Sequence, residues 1–207
     1  MRSLRDEAQR FATRSGTGMS GLLRRLRSPD TAAVLLGRLA YRLGSSVTRP
    51  VDVTPAGATD LVITRSLDAP RRHVFAALTT PDLVRQWLGP PEWQMTTCAI
   101  DLRVSGRYRY EFAGPRGVAM GFGGVFTEIV ASERIVSTEA FDDAPPGSDT
   151  VNTLLLTERN GVTTLVTTVR YPTEAARAAA VATGMTDGMT AGYRRLDAVL
   201  ASERAGD

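Results

Sequence analysis

Hydrophobic and polar residues alternate in short runs through the central part of the chain, a pattern typical of β-strands. In residues 107–112, Tyr108, Tyr110 and Phe112 fall on one face, and arginine and glutamate fall on the other. The same pattern predicts strands at residues 61–67, 94–104, 107–112, 119–130, 134–141, 150–158 and 162–171. The pair Asn160-Gly161 is a strong signal for a tight hairpin between the last two. Short strands joined by turns indicate an antiparallel sheet.

The hydrophobic spacing changes to a helical period in three places. Pro70 and Pro81 each suit the first turn of a short helix that follows the first strand. A third helix is predicted over residues 173–202, with a length of roughly 45 Å at about 1.5 Å per residue. Its apolar face contains Ala178, Val181, Ala182, Met185, Met189, Gly192, Leu196, Val199 and Leu200.

Three glycines, Gly184, Gly188 and Gly192, recur every four residues in this last helix. Each costs about 1 kcal/mol relative to alanine within a helix. We therefore expect the helix to approach the sheet or a ligand closely along this line.

The first 58 residues read as a different kind of sequence. They hold ten arginines and four acids, a net charge of +6, whereas residues 59–207 carry a net charge of −3. Asp30 suits the N-cap of a helix over residues 31–43, and residues 54–58 read as a linker. We predict an arginine-rich, partly helical or disordered extension over residues 1–58 and one domain over residues 59–203.

Three interpretations of the extension remain open. In the first, the extension is a surface-attached or disordered segment. In the second, residues 20–43 form an amphipathic segment that makes weak contact with an anionic membrane surface or a partner. Alternatively, translation starts later, with Met19 as an internal candidate. Because the positive charge lies in the extension, the high isoelectric point does not indicate nucleic-acid binding by the main domain.

Few residues in the chain suit metal or nucleophilic chemistry. Cys98 is the single cysteine, which excludes an internal disulfide, and His73 is the single histidine, which excludes a histidine-rich metal centre. We expect no metal and no cofactor, a buried inert Cys98 and a reducing, cytoplasmic location. No acid/base constellation stands out, so catalysis is not inferred, although Glu128 or Glu139 could act as a general base if it faced the interior.

A series of short motifs occurs in a fixed order between residues 60 and 202. They are Ala69-Pro70 before Val74-Phe75-Ala76-Ala77-Leu78, Thr80-Pro81-Asp82-Leu83 before Trp87, Asp101-Leu102-Arg103-Val104-Ser105-Gly106, Gly124-Val125-Phe126-Thr127-Glu128-Ile129 before Ser132-Glu133-Arg134-Ile135-Val136, Gly184-Met185 and Arg195-Leu196. With these motifs, the element order resembles the START-like (SRPBCC) superfamily. It is most similar to the branch that resembles the C-terminal domain of the activator of the 90-kDa heat-shock protein ATPase. Ser105 stands where that branch has a glycine.

The resemblance implies an α+β helix-grip fold, in which a curved antiparallel sheet surrounds a long C-terminal helix and two short helices follow the first strand. It also implies a cavity between sheet and helix that binds a small hydrophobic or aromatic molecule, including lipids. The residues expected to bind this ligand are Trp87, Tyr108, Tyr110, Phe112, Phe122, Phe126, Met185 and Met189. Asp101 and Arg103 are expected to hold the turn that follows them. The alternatives are a co-chaperone-like protein with a chaperone partner in a bacterial-type stress response, and a cyclase or hydrolase that uses an inward carboxylate.

Overall fold

Eight antiparallel strands and four helices make up the described part of the chain. A computed structural model describes residues 50–205. The strands are β1 (Asp52–Ala56), β2 (Asp60–Leu67), β3 (Gln94–Ile100), β4 (Arg107–Ala113), β5 (Ala119–Val130), β6 (Arg134–Phe141), β7 (Thr150–Arg159) and β8 (Val162–Arg170). The helices are α1 (Arg71–Thr79), α2 (Pro81–Trp87), α3 (Glu174–Ala182) and α4 (Met185–Ala205), and a 3-10 turn spans Pro115–Gly117.

All the strands join one sheet in the order β1-β2-β8-β7-β6-β5-β4-β3. The predicted fold class is confirmed: a curved antiparallel sheet, two short helices and a long C-terminal helix. The Asn160-Gly161 hairpin is present, with φ angles of 54° and 73° that suit the turn joining two twisted strands. None of the helices within residues 50–205 is long and apolar enough to cross a membrane.

The strand β1 was not predicted, because its residues were interpreted as part of a linker. In the structure, Val53 lies opposite Ile63 of β2 and packs against the core. Pro55 lies within β1, opposite Leu61. Proline cannot donate to a ladder and is tolerated on an edge strand, which is the position that β1 occupies. The residue that suggested a linker is therefore compatible with a strand here.

The prediction of one continuous helix over residues 173–202 is wrong at Gly184. This residue has a φ of +75°, in the left-handed region, and it separates α3 from α4. At about 1.5 Å per residue, the 21 residues of α4 span roughly 31 Å. The break places the start of α4 at Met185.

The close approach to the sheet that was expected to explain the repeated glycines is found at none of the three positions. A Cβ atom built at Gly192 would lie 3.4 Å from the carbonyl oxygen of Trp87, an ordinary van der Waals contact, so α4 packs against the end of α2 here without requiring a glycine. At Gly188 no neighbouring atom would lie within 4 Å of such a Cβ atom. Gly184 is instead required by its backbone conformation.

Two hydrophobic clusters form the core. The first lies between the inner face of β2 and β8 and the helices α1 and α4, and it includes Leu61, Leu165 and Leu196. The second lies on the inner face of β3, β4 and β5 beneath α2, and it includes Val84, Phe112 and Phe126. Phe75 and Leu154 pack against both clusters and connect them.

Two arginines fix α4 in its position over the rest of the domain. Arg65 of β2 is buried and pairs with Asp197 of α4, and its guanidinium lies 5.5 Å from the centre of the Tyr193 ring. Arg195 of α4 donates to the Trp87 carbonyl oxygen at 2.8 Å and also to that of Gly89, at the C-terminal end of α2. The long helix is thus attached by charged groups on both of its sides, in addition to its apolar face.

Candidate functional site

The aromatic side chains of β4 form a row on the inner face of the sheet. Tyr108, Tyr110 and Phe112 are buried, as the alternation in the sequence predicts. The Tyr108 ring lies 5.4 Å from Tyr110 and 5.3 Å from Phe126, centre to centre. The row continues through Phe122, which stacks with Phe112 at 5.9 Å. Five of the eight predicted ligand-binding residues therefore lie together.

The aromatic row reaches the surface at one end. Phe122 contacts Phe141 at a ring distance of 4.8 Å, and 47% of Phe141 is exposed. Phe141 was not among the predicted site residues. Phe141 is the last residue of β6 and lies on the same face as Glu139.

Trp87, Met185 and Met189 belong to a separate group. They pack against the first core cluster, whereas the aromatic row belongs to the second. The Trp87 ring is parallel to that of Tyr193 at 6.2 Å, and its indole N–H donates to the Ala77 carbonyl oxygen at 2.9 Å. These two contacts hold Trp87 between α1 and α4.

A polar group, here called the Glu139 cluster, lies on the inner face of β6 and β7 and consists of Glu139, Thr150 and Asn152. Glu139 lies directly opposite Thr150 in the pairing of the two strands, and Asn152 lies opposite Ser137. The Tyr108 hydroxyl donates to the Thr138 carbonyl oxygen at 2.8 Å and lies 3.4 Å from Glu139 Oε2. The carboxylate is therefore next to the aromatic row.

The environment of Glu139 favours its neutral form. Burial raises the pKa of the Glu139 carboxyl, and hydrogen bonds from Asn152 and Tyr108 offset only part of this effect. Among residues 50–205, no arginine forms an ion pair with it. Burial, followed by the charge of Glu139, raises the pKa of both Tyr108 and Tyr171. The Tyr171 hydroxyl in turn donates to Met185 Sδ at 3.7 Å, which brings the start of α4 near the cluster.

Two polar atoms of the cluster are buried without a partner in the described part of the chain. They are Thr150 Oγ1 and Asn152 Oδ1. Thr150 is 9% exposed, whereas the alternating residue Val151 faces outward and is 42% exposed. Buried polar atoms in native proteins are normally hydrogen-bonded, so two neighbouring exceptions require an explanation. A ligand that supplies the missing partners is one.

The sequence contains a weak signal for this cluster. Thr150 and Asn152 alternate with the apolar residues of β7, at the positions that share a face with Leu154 and Leu156. Polar residues on the core-facing side of a strand are unusual and could have drawn attention to the site. Tyr171 could not have been found in this way, because it lies after β8 and reaches Met185 only through the tertiary fold.

Glu128 and Cys98, the other residues considered for chemistry, occupy positions that suit a structural role. Glu128 is paired with Arg134 at 3.0 Å on an exposed part of the sheet, so the hypothesis that it faces the interior is wrong. Cys98 is a buried free thiol whose pKa is raised by burial. Within residues 50–205, no three His, Cys, Asp or Glu side chains are grouped as a metal site requires.

The turn after β3 has a backbone conformation that suits the glycine of the family motif. Arg103 pairs with Asp101 across this turn, with a Nε–Oδ1 distance of 3.1 Å. Ser105 has a φ of +65°, in the left-handed region that glycine adopts most easily. The glycine that the family places here therefore suits the conformation, and Ser105 adopts it at some cost.

A groove of about 420 Å³ lies on the outer face of β4, β5 and β6. Most of its lining residues, among them Arg107, Arg109 and Val125, alternate with the buried aromatic side chains. Arg109 pairs there with Asp142 at 2.6 Å and with Glu111 at 3.0 Å. Tyr108, Thr138 and Phe141 also line this groove, and its cation Arg109 is already neutralised.

The sheet, the long helix held against it and the inward aromatic and polar groups define a helix-grip protein of the START-like (SRPBCC) class. More narrowly, the chain belongs to the family described as "Activator of Hsp90 ATPase homolog 1-like protein", which matches residues 68–201. No curated protein matches the chain.

Solved structures support this membership. A protein from Rhodobacter sphaeroides is 33% identical, with 74% of this chain and 99% of that chain covered, and the TM-score is 0.71. A protein from Arthrobacter aurescens is 26% identical over 74% of this chain and 93% of that chain, with a TM-score of 0.66. A protein from Mycobacterium smegmatis, 24% identical over 73% of this chain and 97% of its own, shares the fold with a TM-score of 0.66.

Proposed function

We propose that this domain binds a small molecule with an apolar or aromatic body, held on the inner face of the sheet beneath α4. The observation that carries the proposal is the Glu139 cluster: an inward carboxyl with a raised pKa next to two buried polar atoms without partners. Perturbed carboxyl groups of this kind concentrate at functional sites. The adjacent aromatic row offers the ligand a large apolar contact surface.

The position of Phe141 supports the proposed route of entry. This exposed ring continues the stack of Phe122 and Phe112. An aromatic molecule could first contact Phe141 and then move along the row towards Tyr108, where the polar cluster begins. Of Trp87, Met185 and Met189, only Met185 remains a proposed ligand-binding residue. It accepts a hydrogen bond from Tyr171, whose pKa the charge of Glu139 raises.

Two other functions have a specific observation in their favour. Glu139 meets the condition set for an enzyme with an inward carboxylate, because a carboxyl with a raised pKa can act as a general acid or base near neutral pH. The family description names activation of the Hsp90 ATPase, which makes a chaperone the candidate protein partner. A pull-down with the full chain that recovers no chaperone would exclude the latter.

Mapping of a neutral aromatic probe onto the domain tests the proposal. The full chain, labelled with ¹⁵N, is titrated with 2-naphthylmethanol, and amide chemical shifts are followed by NMR. We expect the shifts to concentrate at Glu139 and Thr150 and at the start of α4. Shifts confined to Arg107 and Val125, in the outer groove, or no shifts at all, would refute binding on the inner face.

A further inference from the structure

The hydrogen-bonding capacity left open in the Glu139 cluster consists mainly of acceptors. Asn152 Oδ1 and the Thr150 hydroxyl have no partner, and the Glu139 carboxylate, which already accepts from Asn152 and Tyr108, has further lone pairs that can accept. The donors near the carboxylate are already used or weakly placed, since the Tyr108 O–H points to the Thr138 carbonyl oxygen at 2.8 Å and lies farther from Glu139, at 3.4 Å. A ligand that satisfies this site must therefore supply several N–H or O–H donors from one point.

The charge of the cluster favours a cation among such ligands. Arg109 pairs with Glu111 and Asp142, Arg134 of β6 pairs with Glu128, and no arginine in the described part of the chain forms an ion pair with Glu139. An ionised Glu139 is thus left without a positive partner, which is costly for a buried group. A ligand that brings its own positive charge would remove this cost, whereas an anionic ligand would increase it.

The aromatic residues around the carboxylate are also suited to a cation. The rings of Tyr108 and Tyr110 lie 5.4 Å apart and are tilted by 43° to each other, and the charge of Glu139 acts on both hydroxyls. Faces of aromatic rings attract ammonium groups through their quadrupole, most strongly where water is displaced. The rings of Tyr108 and Tyr110 can therefore contact both the apolar body of a ligand and its charged head group.

We propose that the ligand of this domain is an amine, with an ammonium group that donates to Glu139, Asn152 and Thr150 and an apolar or aromatic body that lies along the row from Tyr108 to Phe141. This inference rests on the proposed function and specifies the chemical class of the molecule. The ammonium would complete the hydrogen bonds of Thr150 Oγ1 and Asn152 Oδ1 and would neutralise the carboxylate.

Three probes with the same naphthyl body and different charge test the inference: 2-naphthylmethylamine, 2-naphthylmethanol, which has nearly the same shape as the amine, and 2-naphthoate. Their affinities for the full chain are measured by isothermal titration calorimetry at neutral pH. Because hydrogen bonds to charged groups are stronger than neutral ones, we expect the amine to bind about 10-fold or more tightly than the alcohol, and the carboxylate to bind weakest.

Variants of the domain identify which residue causes the preference for the amine over the alcohol. Glu139→Gln is expected to bring the amine and the alcohol to within about 2-fold of each other, since the charge is lost while the shape is kept. Glu128→Gln, which removes an exposed glutamate on the neighbouring strand β5, should leave the preference for the amine unchanged. Thr150→Val keeps the β-branched shape and removes one hydroxyl, and it should weaken the amine several-fold.

The outcomes separate this inference from the proposed function. If the alcohol and the amine bind equally, or if the carboxylate binds most tightly, the inference is overturned and binding of an apolar molecule stands. If the amine keeps its advantage in Glu139→Gln, the charge that it senses is elsewhere and the inference also fails. If none of the three probes binds, both are overturned. Circular dichroism of each variant identifies any loss of affinity that comes from unfolding.

Discussion

The substitution Asp197→Asn removes the negative partner of a buried arginine and should destabilise the domain strongly. Only 1% of the Arg65 side chain is exposed, compared with 27% of Asp197. Breaking a fully buried pair costs about 3–5 kcal/mol, whereas an exposed pair contributes about 0–1 kcal/mol. Since solvent reaches one partner, we expect a loss of about 3 kcal/mol in the free energy of unfolding, or roughly 6–12 °C in Tm.

Urea denaturation followed by circular dichroism measures this loss, and a double-mutant cycle isolates the pair. The cycle uses Asp197→Asn, Arg65→Met and the double variant, in which the buried charge and its partner are both absent. We expect the double variant to be more stable than Asp197→Asn alone, because the buried guanidinium that lost its carboxylate has also been removed. Glu133→Gln breaks the exposed pair between Glu133 and Arg71 and serves as the control, with a loss of less than about 1 kcal/mol. Equal losses for Asp197→Asn and Glu133→Gln would refute the view that this pair holds α4.

Three further predictions concern other features. Burial raises the pKa of Glu139, so the folded state binds the proton of this carboxyl group more tightly than the unfolded state does. The stability that Glu139 contributes is therefore fully present below the ordinary carboxyl pKa, and it is lost as the pH rises through the folded-state pKa. Urea midpoints should therefore show that Glu139→Gln is more stable than the wild type at pH 8 and not at pH 4, and a pH-independent difference would contradict this. Arg195→Ala removes the donors to the end of α2 and should lower the free energy of unfolding in urea by about 1.5–3 kcal/mol. The control is Arg194→Ala at the exposed neighbouring position, which should change the free energy of unfolding by less than about 0.5 kcal/mol. Gly188→Ala should raise the free energy of unfolding by about 1 kcal/mol, since open space surrounds the added methyl group, and a decrease would show that this space is needed.

The strands could be predicted from the sequence because their signals are local. The bounds of β5 and β6 agree with the pattern of alternation and turns, and the Asn160-Gly161 hairpin has the backbone conformation that these residue types favour. The strand β1 was missed because its pairing with β2 depends on distant residues, and Pro55 alone suggests a linker. The break at Gly184 was missed because a glycine within a helical pattern can either be tolerated or end the helix.

The candidate site was predictable in its apolar part only. Tyr108, Tyr110 and Phe112 share a face in any strand, so the aromatic row follows from the sequence. The association of Glu139 with Thr150 depends on the register between β6 and β7, which a single sequence does not specify. The sequence could not show that Met185 would contact Tyr171 rather than the aromatic row, because this contact depends on how the last helix packs against the end of β8.

The two strands at the ends of the sheet bear on how the domain behaves at high concentration. An unprotected edge is a template on which strands from other molecules can assemble into aggregates. The edge strand β1 contains Pro55, which lacks a backbone donor, and the pairing of the opposite edge strand β3 is interrupted by a bulge between Met95 and Thr97. Each edge of the sheet therefore carries a feature that opposes the addition of strands from other molecules, which favours a sheet of eight strands even in a crowded solution.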